Sequence, residues 1–175
     1  MTYCTDVSSL SGVAVGQRSD IVSLSKSSSF SPVYASTAWS ILTLGEDSWS
    51  ISSHINLVRR PDNGMFNNAS IAAVMSQINI QQNHKTLITV SVSDPDGDTI
   101  RCRWANSSNG VDECGSICPP GSLPVNTAIY SNCTVEIIGA SAASGYAIAL
   151  MICYILIKQN QIIIFVFTYL GRRFH

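Results

Sequence analysis

The stretch Ser91-Val-Ser-Asp-Pro-Asp-Gly-Asp-Thr-Ile-Arg-Cys-Arg-Trp-Ala105 decides how the rest of this 175-residue chain is interpreted. Apolar and polar residues alternate over 87–93, before its acidic turn, and over 99–104, after it. Alternation with a period of two is typical of β-strands that bury one face. Since Asp-Pro-Asp-Gly-Asp supplies turn residues between the two runs, we expect a β-hairpin whose inward face carries Cys102 and Trp104.

A cysteine and a tryptophan on one buried face predict a β-sandwich core, because a tryptophan packed near a disulfide commonly fills such a core. Further strand-like runs lie at 48–60, 71–80 and 134–138. In the first of these runs Trp49 and Ile51 share the apolar face that we expect to be buried, whereas Ser50, Ser52 and Arg60 share the polar face. We therefore predict an all-β chain in which a disulfide-stapled sandwich follows a partial β unit and precedes an apolar C-terminal tail.

Composition divides the chain into four parts. Residues 1–60 form a Ser-rich partial β unit, 61–70 a linker that opens with Pro-Asp-Asn-Gly, 71–151 the sandwich, and 152–175 the apolar tail. The first residues lack the charged start and continuous apolar run of a signal peptide. We therefore expect that the native start of a secreted form lies upstream.

Charge and motif content exclude two function classes. Charged residues make up 12% of the chain and the net charge is −1, so no basic surface for nucleic acid is expected. The three histidines, His54, His84 and His175, lie outside any nucleophile motif, and His54 falls on the polar face of a strand. Asp112 and Glu113 are adjacent acids that we interpret as solvated loop residues. We therefore predict that the protein is not an enzyme.

Cysteine usage indicates an oxidising compartment. Of six cysteines, Cys102, Cys114, Cys118 and Cys133 cluster in one short region, which is typical of a disulfide framework. A tetrahedral zinc site is the competing interpretation, but Cys102 and Cys133 lack the paired spacing that structural zinc sites favour. Spacing leaves three pairings open. Cys4 has no evident partner and Cys153 is expected to be a free thiol.

Three N-glycosylation sequons agree with an extracellular location. They begin at Asn68, Asn106 and Asn132, and two of them flank the cysteine cluster.

The acidic turn also has the alternating carboxylates of a calcium loop. Asp94, Asp96 and Asp98 could direct hard oxygen ligands at one ion. The turn is not an EF-hand, because position twelve is Ala105 instead of a glutamate. A plain hairpin turn, in which proline fixes φ and glycine takes the left-handed position, is the favoured interpretation. We predict no other cofactor.

The tail permits a membrane interpretation. Residues 147–170 are long enough to cross a bilayer and end near a basic pair, as a single span with cytoplasmic arginines would. Lys158-Gln-Asn-Gln161 interrupts the span, and a central lysine costs roughly 2.5 to 3.5 kcal/mol on insertion scales. The β-branched halves also suit strands.

Two resemblances rest on quoted residues. Asp94-Pro-Asp-Gly-Asp-Thr-Ile100 resembles the signature of cadherin-like and PKD-like immunoglobulin-fold modules. More specifically, 48–151 resembles repeated modules of large invertebrate surface or secreted proteins. The matching pieces are Trp-Ser-Ile-Ser-Ser (49–53), Ile-Asn-Leu-Val-Arg-Arg-Pro-Asp-Asn-Gly (55–64), Asp-Gly-Asp-Thr-Ile-Arg-Cys-Arg-Trp-Ala (96–105), Glu-Cys-x3-Cys (113–118) and Gly-Tyr-Ala-Ile-Ala-Leu-Met (145–151).

The resemblance implies an Ig-like extracellular β-sandwich in a multi-module adhesion or matrix protein, and it implies no activity. The likeness ends at Met151, where such modules continue into an acidic, aromatic exit and this chain continues with Ile152-Cys-Tyr-Ile-Leu-Ile-Lys158.

We therefore expect a non-catalytic extracellular structural or recognition module, secreted or on the cell surface, whose partners are other extracellular modules or proteins. Two alternatives stay open. One is a small membrane-anchored, receptor-like protein with a span near 147–170, and the other is a lectin-like carbohydrate binder. Calcium binding would favour the adhesion module, and an exposed aromatic cleft would favour the lectin-like one.

Overall fold

The computed structural model of the protein describes residues 3–8, 13–17, 20–37, 42–44, 48–74, 78–108, 110–141 and 145–154. These residues form β-strands and one turn of 3-10 helix, with no α-helix among them, which confirms the all-β class. The strands are β1 (Tyr3–Ser8), β2 (Val13–Gln17), β3 (Ser29–Phe30), β4 (Val33–Ser36), β5 (Trp49–Ser52), β6 (Ile55–Asn56), β7 (Ile71–Ala73), β8 (Lys85–Thr89), β9 (Ser91–Ser93), β10 (Ile100–Trp104), β11 (Ala128–Ile129), β12 (Thr134–Ile138) and β13 (Leu150–Tyr154); the 3-10 turn, η1, is Gly115–Ile117.

The acidic turn connects strands of different sheets, so the predicted hairpin is wrong. Before the turn, β9 pairs antiparallel with β7, and β8 pairs with β12. After the turn, β10 pairs antiparallel with β13, with Cys102 opposite Ile152. Alternation along a strand determines which face is buried, but it does not determine which strand lies alongside. The turn therefore carries the chain from one pair of strands to another.

The main core lies between these strands. Ile88 and Val90, before the turn, are buried with Val135 and Ile137 of β12. Trp104 is half-buried against the same cluster. The predicted inward face is therefore confirmed, although the predicted strand partners are not.

A second, smaller core lies under η1. It contains Ile117, Cys114 and Met151, all fully buried, with Trp49 of β5 packed against them. Gly115 lets η1 approach β5: its φ is +63°, and a Cβ added there would lie 2.8 Å from the Cα of Trp49. Glycine is required here both for the left-handed conformation and for the space.

The segments 27–36 and 49–57 form a two-stranded antiparallel ribbon. β4 pairs with β5, β3 pairs with β6, and the Ser53 N–H donates to the Pro32 carbonyl between the two pairs. Every residue of β4 is exposed. In β5 the serines are the buried residues, whereas the sequence predicted that Trp49 and Ile51 would form the inner face. The Ser50 hydroxyl donates to the Asp112 carbonyl at 2.7 Å, so the loop covers the face that was expected to meet solvent.

The beginning of the proposed membrane span is part of the core. Residues 147–149 are fully buried, and β13 pairs along β10 as far as Tyr154, past the predicted boundary at residue 151. For 147–154 the membrane interpretation is therefore corrected to an extended core segment, while 155–170 lie outside the described residues. Among the residues that are described, no helix is long and apolar enough to cross a membrane.

Candidate functional site: the acidic turn and its buried arginine

The turn that follows β9 is held by its own first carboxylate. Asp94 Oδ1 accepts hydrogen bonds from the backbone N–H groups of Asp96, at 2.9 Å, and Asp98, at 3.0 Å. The Gly97 N–H donates to the Asp94 carbonyl, and Gly97 has a φ of +76°. An aspartate that accepts N–H groups two residues on is a common turn-former, and glycine takes the left-handed position at no steric cost.

This geometry brings the three predicted carboxylates together. One oxygen of each of Asp94, Asp96 and Asp98 lies within 4.8 Å of the others. The side chains of Asp96 and Asp98 are 16% and 9% exposed. Three converging carboxylates, largely shielded from water, need a positive partner.

The positive partner is Arg60, whose side chain is only 5% exposed. Its Nη1 and Nη2 donate to the two carboxylate oxygens of Asp98 at 2.6 and 2.7 Å, and its Nε and Nη2 donate to Asp62 at 3.0 and 2.8 Å. Nη1 also donates to Asn67 Oδ1 at 2.8 Å and lies 3.7 Å from Asp96. Two forked guanidinium–carboxylate pairs on one arginine are the strongest geometry available to this ion pair.

The linker residue Asn68 forms a second set of hydrogen bonds to the acidic turn. Its backbone N–H and its side-chain Nδ2 donate to the two carboxylate oxygens of Asp96 at 2.6 and 2.8 Å. These bonds from Asn68, joined by the charge of Arg60, hold the pKa of Asp96 below its usual value. Residues 60–68 are therefore bound along the acidic turn by both charge and hydrogen bonds.

The ion pairs of Arg60 with Asp62 and Asp98 keep these side chains charged. Hydrogen bonds from Arg60 lower the pKa of Asp62, and the bonds to Asp62 and Asp98 raise the pKa of Arg60 although burial opposes this. A guanidinium is already always protonated in proteins, so its raised pKa changes no charge near neutral pH. The cluster is consequently a permanent ion network at neutral pH.

The open oxygen of the cluster is Asp94 Oδ2, which is buried and has no hydrogen-bond partner among the described residues. Calcium takes six to eight oxygen ligands. Both oxygens of Asp98 are engaged by Arg60, both oxygens of Asp96 by Asn68, and Oδ1 of Asp94 by backbone N–H groups. The network therefore supports the plain-turn interpretation over the calcium interpretation.

Tyr154 joins the end of the last strand to the same region. Its hydroxyl accepts a hydrogen bond from the Ser70 N–H and lies 3.4 Å from the Asn68 carbonyl, to which it donates. Burial raises the pKa of Tyr154. Tyr154, which follows the predicted end of the module at Met151, thus helps to hold the predicted linker.

The cysteine cluster forms two disulfides, which confirms the predicted framework. Cys102 pairs with Cys133 and Cys114 pairs with Cys118. Each of these four sulfurs is bonded to one other cysteine sulfur. The alternative prediction, that the four thiolates bind zinc, is therefore wrong. Cys153 is a free thiol whose pKa is raised by burial. The side chain of Cys4 lies outside what the structure describes.

Asp112 is exposed, as the sequence suggested, but the solvated interpretation is wrong for Glu113. Glu113 is 4% exposed and accepts two hydrogen bonds of 2.8 Å from Arg103 and a third from the Asn106 N–H. Asp112 Oδ1 accepts N–H groups at the start of η1. These acids organise the loop between the two disulfides, because they bond backbone N–H groups that the loop would otherwise leave unpaired.

The sequence identifies the carboxylates of the acidic turn but not their positive partner. The spacing alone identifies Asp94, Asp96 and Asp98, whereas the sequence places Arg60 only on the polar face at the end of a predicted strand. The available signal was its position immediately before Pro61-Asp-Asn-Gly64, which places an arginine and an aspartate in the same turn.

Comparison with known proteins finds no matching family model, no matching curated protein and no matching solved structure.

Proposed function

We propose that the protein is an extracellular, non-catalytic structural or recognition module of adhesion type, of the cadherin-like or PKD-like Ig-fold kind that its sequence resembles. The observation that carries this proposal is the pair of disulfides in the core. Structural disulfides form and persist in oxidising compartments and are rare in the cytosol.

The position of each disulfide supports a structural role. Cys102 and Cys133 are 7% and 3% exposed, and their bridge joins β10 to the turn before β12. The Cys114–Cys118 bridge closes η1 within the loop that follows β10. The first bridge therefore fixes the turn before β12 to a paired strand, and the second fixes a loop that strand pairing does not hold.

The ion network at Arg60 supports the same role by stiffening the predicted linker. In a chain of modules, the segment between two β units sets how freely they move. Here that segment is bonded to the acidic turn through Arg60 and Asn68. The network supplies with protein groups the rigidity that a calcium ion could otherwise supply.

The recognition surface that we propose is the outer strand of the ribbon. Val33 and Tyr34 of β4 are 47% and 67% exposed, and Phe30 of β3 is 38% exposed. An exposed strand edge with apolar side chains is a template for pairing with an extended segment of another chain.

The test is to express the chain behind an added signal sequence in secretory cells and to map its thiols by mass spectrometry. We expect secretion with Cys102–Cys133 and Cys114–Cys118 formed, and binding of the secreted protein to extracellular matrix preparations that weakens on substitution of Tyr34 by Ser. Retention of the chain with all cysteines reactive towards alkylating agents would contradict the proposal.

A lectin-like function is the second candidate, and one contact favours it. The rings of Tyr34 and Trp49 lie 5.5 Å apart at 55°; Tyr34 is 67% exposed, whereas Trp49 is half-buried against the second core. Aromatic faces of this kind can pack against the apolar face of a sugar. Glycan-array binding that is lost in Tyr34→Ala would establish this candidate, and binding to protein ligands alone would exclude it.

A further inference from the structure

The turn between β11 and β12 has a compact and specific form. The Cys133 N–H donates to the Tyr130 carbonyl at 3.0 Å, and the Tyr130 N–H donates to the Thr134 carbonyl at 2.8 Å. Cys133 has a φ of +65°. These features describe a type I turn followed by a left-handed bulge residue, the usual three-residue hairpin connection.

Asn132 lies at the tip of this turn with its amide nitrogen available. The residue is exposed, and its Oδ1 accepts the Thr134 N–H at 3.2 Å, which orients the side chain. No hydrogen bond to another described residue engages its Nδ2. Asn132-Cys-Thr134 is a glycosylation sequon, and Nδ2 is the atom that would carry the glycan.

An aromatic ring precedes this asparagine by two residues. Tyr130 is 47% exposed, and its hydroxyl donates to Glu136 Oε2 at 2.8 Å. Glu136 also pairs with Lys85 at 2.7 Å. The ring is thus held across the hairpin, close to the tip, with much of its surface in water.

The same spacing occurs at the other two sequons, but their surroundings differ. Phe66 precedes Asn68, and Arg59 lies over its ring at 4.9 Å, while the Nδ2 of Asn68 is bonded to Asp96. Trp104 precedes Asn106, and its ring packs against the main core. Among the three sequons, only Asn132 therefore combines an unengaged amide with an exposed and positioned ring.

We propose that Asn132 carries an N-linked glycan and that the apolar face of its first N-acetylglucosamine packs on the ring of Tyr130, which stabilises the turn. This inference rests on the proposed extracellular function, because glycosyl transfer occurs in a secretory lumen. The glycan comes from a lipid-linked oligosaccharide pyrophosphate. A bond forms between Asn132 Nδ2 and C1 of the sugar, the bond from C1 to the pyrophosphate oxygen breaks, and Nδ2 loses one proton.

The fold also sets when the transfer must occur. Cys133, the middle residue of the sequon, is bonded to Cys102, the Cys102 N–H donates to Ser131, and the Val90 N–H donates to Cys133. A transferase must bind the sequon in an open conformation, which this turn does not allow once it is closed. Transfer to Asn132 therefore precedes formation of the Cys102–Cys133 bridge, and the two reactions compete.

The experiment uses the full chain behind an added signal sequence, with Asn132 occupancy measured by glycopeptide mass spectrometry. The melting temperature of protein trimmed to one N-acetylglucosamine is compared with that of Asn132→Gln. We expect an occupied Asn132 and a difference of about 3 °C, since one aromatic contact shifts the melting temperature of a protein of this size by about that amount. The difference should persist in Tyr130→Phe and disappear in Tyr130→Ala.

The matched control is Asn106→Gln, whose effect on the melting temperature should not depend on Tyr130. If Tyr130→Ala does not fold, Tyr130→Leu replaces it, with an expected difference well below that of Tyr130→Phe. Cys102→Ser should raise the occupancy of Asn132, because it delays closure of the turn.

A secreted, disulfide-bonded chain with an empty Asn132 would overturn this inference and leave the proposed function intact. If the melting temperatures of the glycosylated protein and Asn132→Gln differ as much in the Tyr130→Ala background as in the wild-type background, the sugar does not pack on the ring of Tyr130. A chain that is glycosylated here but carries reduced cysteines in its native cells would refute the proposed function instead.

Discussion

Arg60 is the residue on which the acidic turn depends. It is buried among carboxylates, and removal of one partner of a buried pair leaves the others uncompensated. We therefore expect Arg60→Gln to lower the free energy of unfolding by about 3 kcal/mol, measured by urea denaturation.

The neighbouring Arg59 provides the matched control. Its guanidinium is exposed, donates to the Gly64 carbonyl and lies over Phe66. Arg59→Gln should cost less than about 1 kcal/mol, because exposed contacts contribute little. Equal losses for the two variants would mean that the network around Arg60 adds no stability.

The same network predicts how stability depends on acid. The pKa values of Asp62 and Asp96 are lowered in the folded protein by Arg60 and Asn68. A lowered folded pKa stabilises the protein above the unfolded value, near 4, and this contribution is lost as the pH falls through the folded value. We expect the free energy of unfolding to fall steeply below about pH 4. In Arg60→Gln, urea titrations at successive pH values should give a shallower fall; an unchanged slope would contradict this assignment.

The response to calcium distinguishes the two interpretations of Asp94, Asp96 and Asp98. Because Arg60 and Asn68 already engage two of these carboxylates, we expect neither EDTA nor millimolar calcium to move the melting temperature of the wild-type chain. In Arg60→Gln the carboxylates lose their cation, so calcium should raise the melting temperature of that variant. A calcium-dependent rise in the wild-type chain would show instead that the turn is a metal site.

At the scale of the elements, the two disulfides differ in the length of chain that they close. The Cys102–Cys133 bridge has a sequence separation of 31, and the Cys114–Cys118 bridge has one of 4. Loop-closure entropy predicts stabilisation of about 4 kcal/mol for the longer loop and about 2 kcal/mol for the shorter one. Paired Cys→Ser substitutions of each bridge, compared by urea denaturation, should show the larger loss for Cys102–Cys133. The reverse order would mean that packing under η1 outweighs the loop length.

At the scale of the whole molecule, the ribbon contacts the strands and loops that follow it in the chain. Trp49 packs into the second core, Ser50 bonds to the 112 carbonyl, and Arg60 bonds to the acidic turn. A chain that starts at residue 48 keeps these three contacts and should therefore unfold in one cooperative transition, at a temperature lowered only by the loss of β3, β4 and the bonds between Thr43 and Gly145. A chain that starts at residue 61 should melt at a temperature roughly 10 °C lower still, since all three contacts are lost and each 1 kcal/mol is worth about 2–4 °C. Equal melting temperatures would place an independent domain boundary at residue 60.

Much of the candidate site could be predicted from local pattern. The spacing of Asp94, Asp96 and Asp98 predicts that their side chains converge, because a tight turn leaves them no other arrangement. The clustering of cysteines predicts disulfides, since the spacing does not suit zinc. The partner of the turn, Arg60, lies far away in the sequence and could not be identified, because an exposed arginine and a buried one have the same local pattern.

What the sequence by itself determined is the all-β class, the buried face of each strand around the acidic turn, and the presence of disulfides, because alternation and cysteine spacing act within a few residues along the chain. Tertiary structure alone decided that β9 and β10 pair with different strands, that Cys102 bonds to Cys133, and that Leu150–Tyr154 is a core strand. Strand partners and buried charges are chosen by which surfaces meet when the chain closes on itself, and that choice depends on contacts between residues far apart in sequence.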